Sequence, residues 1–390
     1  MVKEIKIQNY KSVQDLTLEL GRINVLIGAN GCGKSNILEA IAFGSAAADN
    51  KLNKEILTAR GVRVTDSVWM RSGFKKKSEN EPIKIKFDDN MDMILKHDNE
   101  VFSDWEASLT AGIVQNLSYD VETMIPQVLK VRNNITHGYE QEYDFRELKK
   151  ISHLLNQFEI KATALNKTVT KYHNFLIFAP ENTFLRKFED DEKTIPLGIR
   201  GEGLFNLLNE MSNKTPEEFQ EIIENLELID WFDGFEIPQD LVFTERRIRI
   251  KDRFLEEGLQ YFDQRSSNEG FLFLMFYFAL FISKYTPKFF AIDNIDASLN
   301  PKLCIELIKI LTKLAKKHDK QVIFTTHNPA ILDGLNLNDD EVRLLVVNRN
   351  IHGHTKVKRV LKKQMPEGVE PLRLSEQFLR GYLGGLPKNF

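Results

Sequence analysis

The chain has 390 residues, 42% of them hydrophobic and 28% charged, with a formal net charge of −3. That is ordinary for a globular protein with a large core, built as one large domain with insertions or as two or three domains. The near-neutral balance excludes a global basic field directed at nucleic acid, and the local clusters Lys75–Lys77, Lys313–Lys317 and Lys356–Lys363 read as solvated faces. The longest apolar run, Phe271–Ile282, is too short to span a bilayer, which takes about 20 residues, and Met1–Ile7 alternates like a strand rather than forming a signal-peptide core. No membrane contact is expected. Two cysteines, Cys32 and Cys304, predict a reducing, cytoplasmic setting without structural disulfides or zinc.

In chain order, Ile5–Asn9 and Leu16–Leu20 alternate like strands, and Ile23–Ile27 is a short apolar run of the kind found in a buried strand. Gly28–Ser35 follows, and Asn36–Phe43 continues as a helix. Val62–Trp69 and Ile83–Phe87 read as further strands. From Met91 to about Tyr172 the pattern is polar, poor in Gly and Pro, and mostly helical; residues 91–172 are therefore expected to be a helical insertion, between residues 1–90 and 173–390. Beyond it come a strand at Phe175–Phe178, a glycine-rich turn at Gly198–Gly203 and a helix at Leu204–Met211. Thr215-Pro-Glu-Glu218 has the form of a capping box with Pro at the first helical position. Strands are expected at Leu241–Phe243, Ile248–Ile250 and Leu259–Phe262. A greasy helix over Phe271–Ser283 precedes a buried strand, Phe289–Ile292. Asn300-Pro301 opens a helix to about Lys317, and Val322–Thr325 and Val342–Val347 close the pattern as strands.

Three segments carry chemistry. Gly28-Ala-Asn-Gly-Cys-Gly-Lys-Ser35 fits G-x-x-x-x-G-K-S/T between a buried strand and a helix. In such a loop, backbone N–H groups around Gly28, Asn30, Gly31 and Gly33 cradle phosphate oxygens, helped by the positive end of the helix that carries Asn36. Lys34 would reach the β- and γ-phosphates and Ser35 would ligate Mg²⁺. Phe289-Phe-Ala-Ile-Asp293 is a buried strand ending in a carboxylate, placed to share the metal with Ser35. Thr325-Thr-His327 is a strand ending in a histidine and resembles the switch-histidine loop of ABC-type ATPases, which implies that His327 contacts the γ-phosphate and senses its presence.

From Asp293 onward, Asp293-Asn-Ile-Asp-Ala-Ser-Leu-Asn-Pro301 resembles the D-E-x-E/D-x-x-L-H-P stretch of ABC-type ATPases of the SMC, RecF and OLD group, with two departures. Asn294 stands where the resemblance puts a catalytic Glu, and Asn300 where it puts His. An amide can orient water but cannot take its proton, and loss of a general base costs about 10²–10⁴ in rate. Slow hydrolysis is therefore expected, with Asp296 a candidate substitute base. Ser266–Gly270 stands where that group has its L-S-x-G signature loop. The resemblance implies that Ser267, Asn268 and Gly270 bind the nucleotide of a second protomer. Pro196–Asn206 and the tail Phe378–Pro387 are similar to turns of compact RecF/OLD-like ATPases from bacterial defence operons. A Q-loop glutamine is not readable, because none lies between Gln14 and Gln115.

These readings predict an α/β fold: a P-loop ABC-type head of two lobes with a helical insertion, binding ATP and Mg²⁺. A long coiled coil is excluded, since heptads are not sustained. The resemblance implies a homodimer closed around ATP, or a higher oligomer of such dimers. It further implies a regulator of an effector encoded nearby, expected to be a nuclease, in Septu-, retron-, PARIS- or Abi-type anti-phage systems. The alternative is a RecF-like clamp or repair ATPase, for which nucleic acid would be the partner.

Overall fold

The computed structural model describes residues 1–49, 51–74, 80–89, 91–100, 103–111, 172, 174–188, 196–238, 246–361 and 372–386. Its centre is a six-stranded sheet of order β14-β13-β3-β12-β11-β7, formed by Thr355–Val360, Val342–Arg349, Ile23–Ile27, Gln321–Thr326, Phe289–Ile292 and Ile177–Phe178. All neighbours run parallel except β13 and β14. Parallel strands are covered on both faces, which explains why Phe289–Ile292 is apolar throughout and Ile23–Ile27 is apolar apart from the buried Asn24. Alternate residues enter two different cores. Val25, Ile292 and Phe324 point to one side and Leu26, Ala291 and Ile323 to the other.

On the first side lies the helix Glu269–Ile282, labelled α7. Its residues Phe271–Ile282 are all buried, as expected of a helix that is apolar all round. Around it pack α5 (Leu204–Lys214), α6 (Pro216–Leu226) and α8 (Pro301–Lys317). On the second side, α1 (Lys34–Ala48) separates the central sheet from a five-stranded antiparallel sheet. That sheet has the order β2-β1-β4-β5-β6, from Val13–Glu19, Glu4–Tyr10, Ile83–Phe87, Met91–Lys96 and Glu106–Ala111. A small sheet, β10-β9-β8 (Tyr261–Phe262, Arg249–Asp252, Phe232–Glu236), leads into α7.

Several expectations need correction. The span 91–172 does not begin helical: Met91–Lys96 and Glu106–Ala111 complete the five-stranded sheet. Met91-Asp-Met-Ile-Leu-Lys does alternate, burying Met91, Met93 and Leu95. Residues 112–171, which hold most of the expected helical insertion, lie outside the described residues, as does Leu241–Phe243. Val62–Trp69 is not a strand. Gly61, at φ 87°, turns the chain before it, and Asp66 starts a short helix, Ser67–Met70, rather than extending a ladder. The Thr215 capping box does not close. Thr215 is the N-cap of α6, but its hydroxyl donates back to the Met211 carbonyl at 3.4 Å.

The base of α7 is tied to β12 by a buried lysine. Lys320, 2% exposed, donates to the Ser283 carbonyl at 2.8 Å, to Thr286 Oγ1 at 2.8 Å and to the Thr286 carbonyl at 3.1 Å. Burial pushes its amine down to about 7, far below the ordinary value. Between pH 7 and about 10 the unfolded chain therefore binds more protons than the native one, and this lysine's contribution to stability grows with pH. Lys320→Met should lower stability, and the deficit relative to wild type should widen by about 2 kcal/mol from pH 7 to pH 9 in paired denaturant titrations. A constant deficit would show that the amine does not change charge there.

Candidate functional site

In the parallel sheet Leu26 and Ile27 lie beside Thr325 and Thr326, and Ile292 lies beside Phe324. This register brings the ends of β3, β11 and β12 to one edge. The carboxyl edge of a parallel sheet is where such folds place ligands. Gly28–Ser35 leaves β3 there, Asp293 leaves β11 and His327 leaves β12.

The phosphate loop is tightly backed. A Cβ at Gly28 would lie 2.2 Å from the Val347 carbonyl oxygen, and one at Gly33, whose φ is 109°, would lie 2.1 Å from Thr355 Oγ1. Only glycine fits at either point. Asn30 and Gly31 form the exposed tip. Lys34, 6% exposed, folds over the loop and donates to the Gly28 and Ala29 carbonyls at 2.8 and 3.2 Å. Burial lowers its amine below the usual lysine value, against the opposing pull of Cys32, Asp293 and Asp296.

Beneath it, Ser35 Oγ donates to Asp293 Oδ2 at 3.3 Å. Thr325 Oγ1 donates to Asp293 Oδ1 and accepts from the Asn294 N–H at 2.9 Å. Thr326 Oγ1 donates to Asp296 Oδ1 at 2.6 Å and accepts from the Asn328 N–H at 3.0 Å. His327 is exposed overall, yet partial desolvation of its ring and the Lys34 charge hold its imidazole below the ordinary value, against Asp296 and Asp293. Asn294 is exposed and left-handed at φ 55°, a conformation asparagine tolerates better than most residues. Lys34, Ser35, Asp293, Asn294, Asp296 and His327 thus share one site. Among the described residues no group of three or more His, Cys, Asp or Glu side chains could hold a metal ion. The hydroxyl and carboxylate of Ser35 and Asp293 are hard oxygen donors, however. They fit Mg²⁺, which keeps most of its shell as water and phosphate oxygen.

Ser267, Asn268 and Gly270 lie elsewhere, at the start of α7. Asn268 caps that helix, accepting from the Phe271 N–H at 2.8 Å. Ser267 is 3% exposed and its hydroxyl has no hydrogen-bond partner among the described residues. Their neighbour is the far end of the Asn294–Asn300 loop: Ser298 Oγ donates to Glu269 Oε1, and a Cβ on Gly270 would lie 3.2 Å from the Ser298 carbonyl. A cavity of about 510 Å³ opens here, lined by Trp231, Asn268, Gly270, Phe271, Asn300 and Leu303 among others. Asn300 caps α8, accepting from the Leu303 N–H at 3.0 Å.

The sequence reading missed two supports of the loop. Ser12 Oγ lies 2.7 Å from Thr355 Oγ1 and accepts from Asn36 Nδ2 at 2.7 Å, while Thr355 Oγ1 donates to the Cys32 carbonyl at 3.0 Å. Asn36 is thereby engaged with the protein. The buried Glu39 of α1 holds Lys11 and Arg63 beside it. The second support is the tail. Its short helix α10, Leu374–Leu379, is held by Ser375 Oγ donating to Asp333 at 2.6 Å, and buries Phe378. The turn beyond it ends with the Gly385 carbonyl accepting from the Ala29 N–H at 2.9 Å. No local pattern announces a contact between the two ends of the chain.

This fold and site define a P-loop ATPase domain whose fold is like that of SMC heads. A solved SMC head bound to the C-winged helix domain of ScpA is similar at a TM-score of 0.54 and 15% identity, over 92% of this chain and 98% of that one; that likeness is one of fold. The family described as "AAA domain, putative AbiEii toxin, Type IV TA system" matches residues 23–333, and the chain belongs to it. An uncharacterised protein of Methanocaldococcus jannaschii is 34% identical over 111 residues, 26% of this chain and 50% of that protein. The DNA double-strand break repair Rad50 ATPase of Sulfolobus acidocaldarius is 33% identical over 99 residues, 24% of this chain and 9% of that protein. The chain therefore spans half or less of these relatives. No described helix is long and apolar enough to cross a membrane.

The tail contact yields a prediction. A Cβ at Gly385, whose φ is 83°, would lie 2.6 Å from Val346 Cγ1. Gly385→Ala should therefore release the turn at a cost of about 1–2 kcal/mol from the left-handed backbone alone. Hydrogen exchange of the Ala29 amide should accelerate at least several-fold. Unchanged protection would mean that the tail does not hold the loop.

Proposed function

We propose that the chain is a slow ATP-dependent switch. It binds Mg·ATP at Gly28–Ser35 and Asp293, and closes a homodimer in which Ser267, Asn268 and Gly270 of each copy meet the nucleotide of the other. The observation that supports this most directly is the split between two half-sites. One edge gathers the phosphate loop, Asp293 and His327; a separate helix start carries Asn268 and Gly270 on the wall of an open cavity, directly after Ser267, whose buried hydroxyl has no hydrogen-bond partner among the described residues. A helix N-terminus favours anions, and the phosphate it would meet belongs to a second copy. Higher oligomers would be built from such dimers.

In this reading Lys34 leaves its carbonyls for the β- and γ-phosphates, Ser35 and Asp293 hold Mg²⁺, and His327 contacts the γ-phosphate. Mg²⁺ supplies charge neutralisation at the phosphates when bound. Asn294 orients water without taking its proton, so the closed state lasts. Asp296, already bonded to Thr326, is the carboxylate placed to take over part of that role. The closed dimer would hold or release an effector protein, a nuclease encoded nearby, in an anti-phage system acting in the cytoplasm. The family's association with a toxin system supports this role. A second reading, a RecF-like DNA-dependent ATPase, is favoured by the Rad50 relative.

Wild type should dimerise with ATP and retain its neighbouring gene product differently with and without nucleotide; Lys34→Ala should do neither, as read by sedimentation and co-purification. Dimerisation of Lys34→Ala with ATP would sink the site. Instead, ATPase activity stimulated by DNA, with a steep loss on raising salt, would favour the clamp. Asn294→Glu tests the timer. It should speed turnover at least 10-fold, provided the left-handed backbone strain of about 1–2 kcal/mol is absorbed. No acceleration in a folded, ATP-binding variant would assign the base to another residue.

A further inference from the structure

We propose that Thr325 is a positioning residue for Asp293, and that its hydroxyl sets the affinity of the nucleotide site for Mg²⁺. The inference rests on the reading that Ser35 and Asp293 hold the metal. It follows from one oxygen atom with two opposite duties. Thr325 is fully buried in β12 and lies next in register after the Phe324–Ile292 pair, so its side chain meets the residues that leave β11. A hydroxyl has one proton to give. Thr325 gives it to Asp293 Oδ1 and uses its lone pair for the Asn294 N–H.

The donation selects between the two carboxylate oxygens. With Oδ1 occupied by Thr325, Oδ2 is the one turned to Ser35 Oγ at 3.3 Å, where the metal donors converge. Without the hydroxyl the carboxylate could rotate, and each ion bound would carry the cost of restoring its orientation. Outer-shell partners of metal ligands are worth about 10–100-fold in metal affinity. Accepting the Asn294 N–H has a second consequence. It pins the backbone at the residue whose φ is 55°, and so fixes where the Asn294 side chain leaves the strand. The same strand end carries His327 two residues on. A γ-phosphate contact at His327 and the metal-binding oxygen of Asp293 are therefore joined through one rigid strand terminus rather than through solvent.

The neighbouring Thr326 provides an internal control. It is equally buried and also donates to a carboxylate, but to Asp296. An isosteric Val at either position perturbs the same strand; only one of them frees Asp293.

The test is equilibrium binding of a non-hydrolysable ATP analogue, titrated with Mg²⁺ and repeated in EDTA, for wild type, Thr325→Val, Thr325→Ser and Thr326→Val. Thr325→Val should raise the Mg²⁺ concentration for half-maximal binding about 10-fold or more. Its affinity in EDTA should stay within about two-fold of wild type. Thr325→Ser should restore the wild-type Mg²⁺ dependence, and Thr326→Val should leave it unshifted. A folded Thr325→Val with wild-type Mg²⁺ dependence overturns the inference, as does an equal shift in Thr326→Val or a failure of Thr325→Ser to restore binding. If Thr325→Val does not fold, Thr325→Ala carries the same expectation. A wild-type protein whose nucleotide affinity ignores Mg²⁺ would overturn the metal-site reading itself, and the inference with it.

Discussion

The Asp293 carboxylate is divided between two hydroxyls, one from the helix after the phosphate loop and one from the strand before His327. Three separate parts of the chain meet on those two oxygens, and the rest of the architecture can be read as what holds them there. A carboxylate so enclosed is expensive to desolvate unless its partners are fixed in advance. The parallel register of β3, β12 and β11 fixes them, because backbone ladders set strand ends far more rigidly than side chains could. The two cores on either face then lock that register: a one-residue slip of β12 would exchange Phe324 for Ile323 between cores of different shape.

The phosphate loop is supported in a different way. A loop that must offer backbone N–H groups to a ligand can spare few of them to hold itself in place. Its supports therefore come mainly from carbonyls and from the back, with the Ala29 N–H as an exception. Thr355 bonds the Cys32 carbonyl, Lys34 spans the Gly28 and Ala29 carbonyls, and Gly385 takes the Ala29 N–H. The tail and β14 come from the end of the chain and Ser12 from its start. The supports of the loop thus come from segments far apart in sequence, which meet at Cys32 and Ala29.

Legibility in the sequence followed the range of the interaction. The strand, glycine loop and helix around Lys34 could be read because their signal is contiguous, and Asp293 and His327 because each ends a short apolar run. The helix caps at Asn268 and Asn300 are likewise local, three residues from their N–H partners. Pairings between distant segments could not be read. Ile7 opposite Ile85, Thr325 beside Asp293 and Gly385 against Ala29 depend on register and topology. Met91–Lys96 was misjudged for a related reason: its alternation is six residues long, and the polar stretch beyond it outweighed the pattern. Thr215 shows the opposite error. Its motif was complete, yet the hydroxyl found the carbonyl of the preceding helix first.

Asn294 joins the chemistry to the backbone. Its amide lacks a base's proton affinity, and its left-handed conformation is one that a longer acidic side chain adopts only at a cost. The two facts are compatible: the backbone that Thr325 pins suits asparagine, the residue to which the proposed reading assigns slow hydrolysis. In this chain the turn after β11, its bond to Thr325 and the amide at 294 are mutually consistent, and all three accord with the proposed switch.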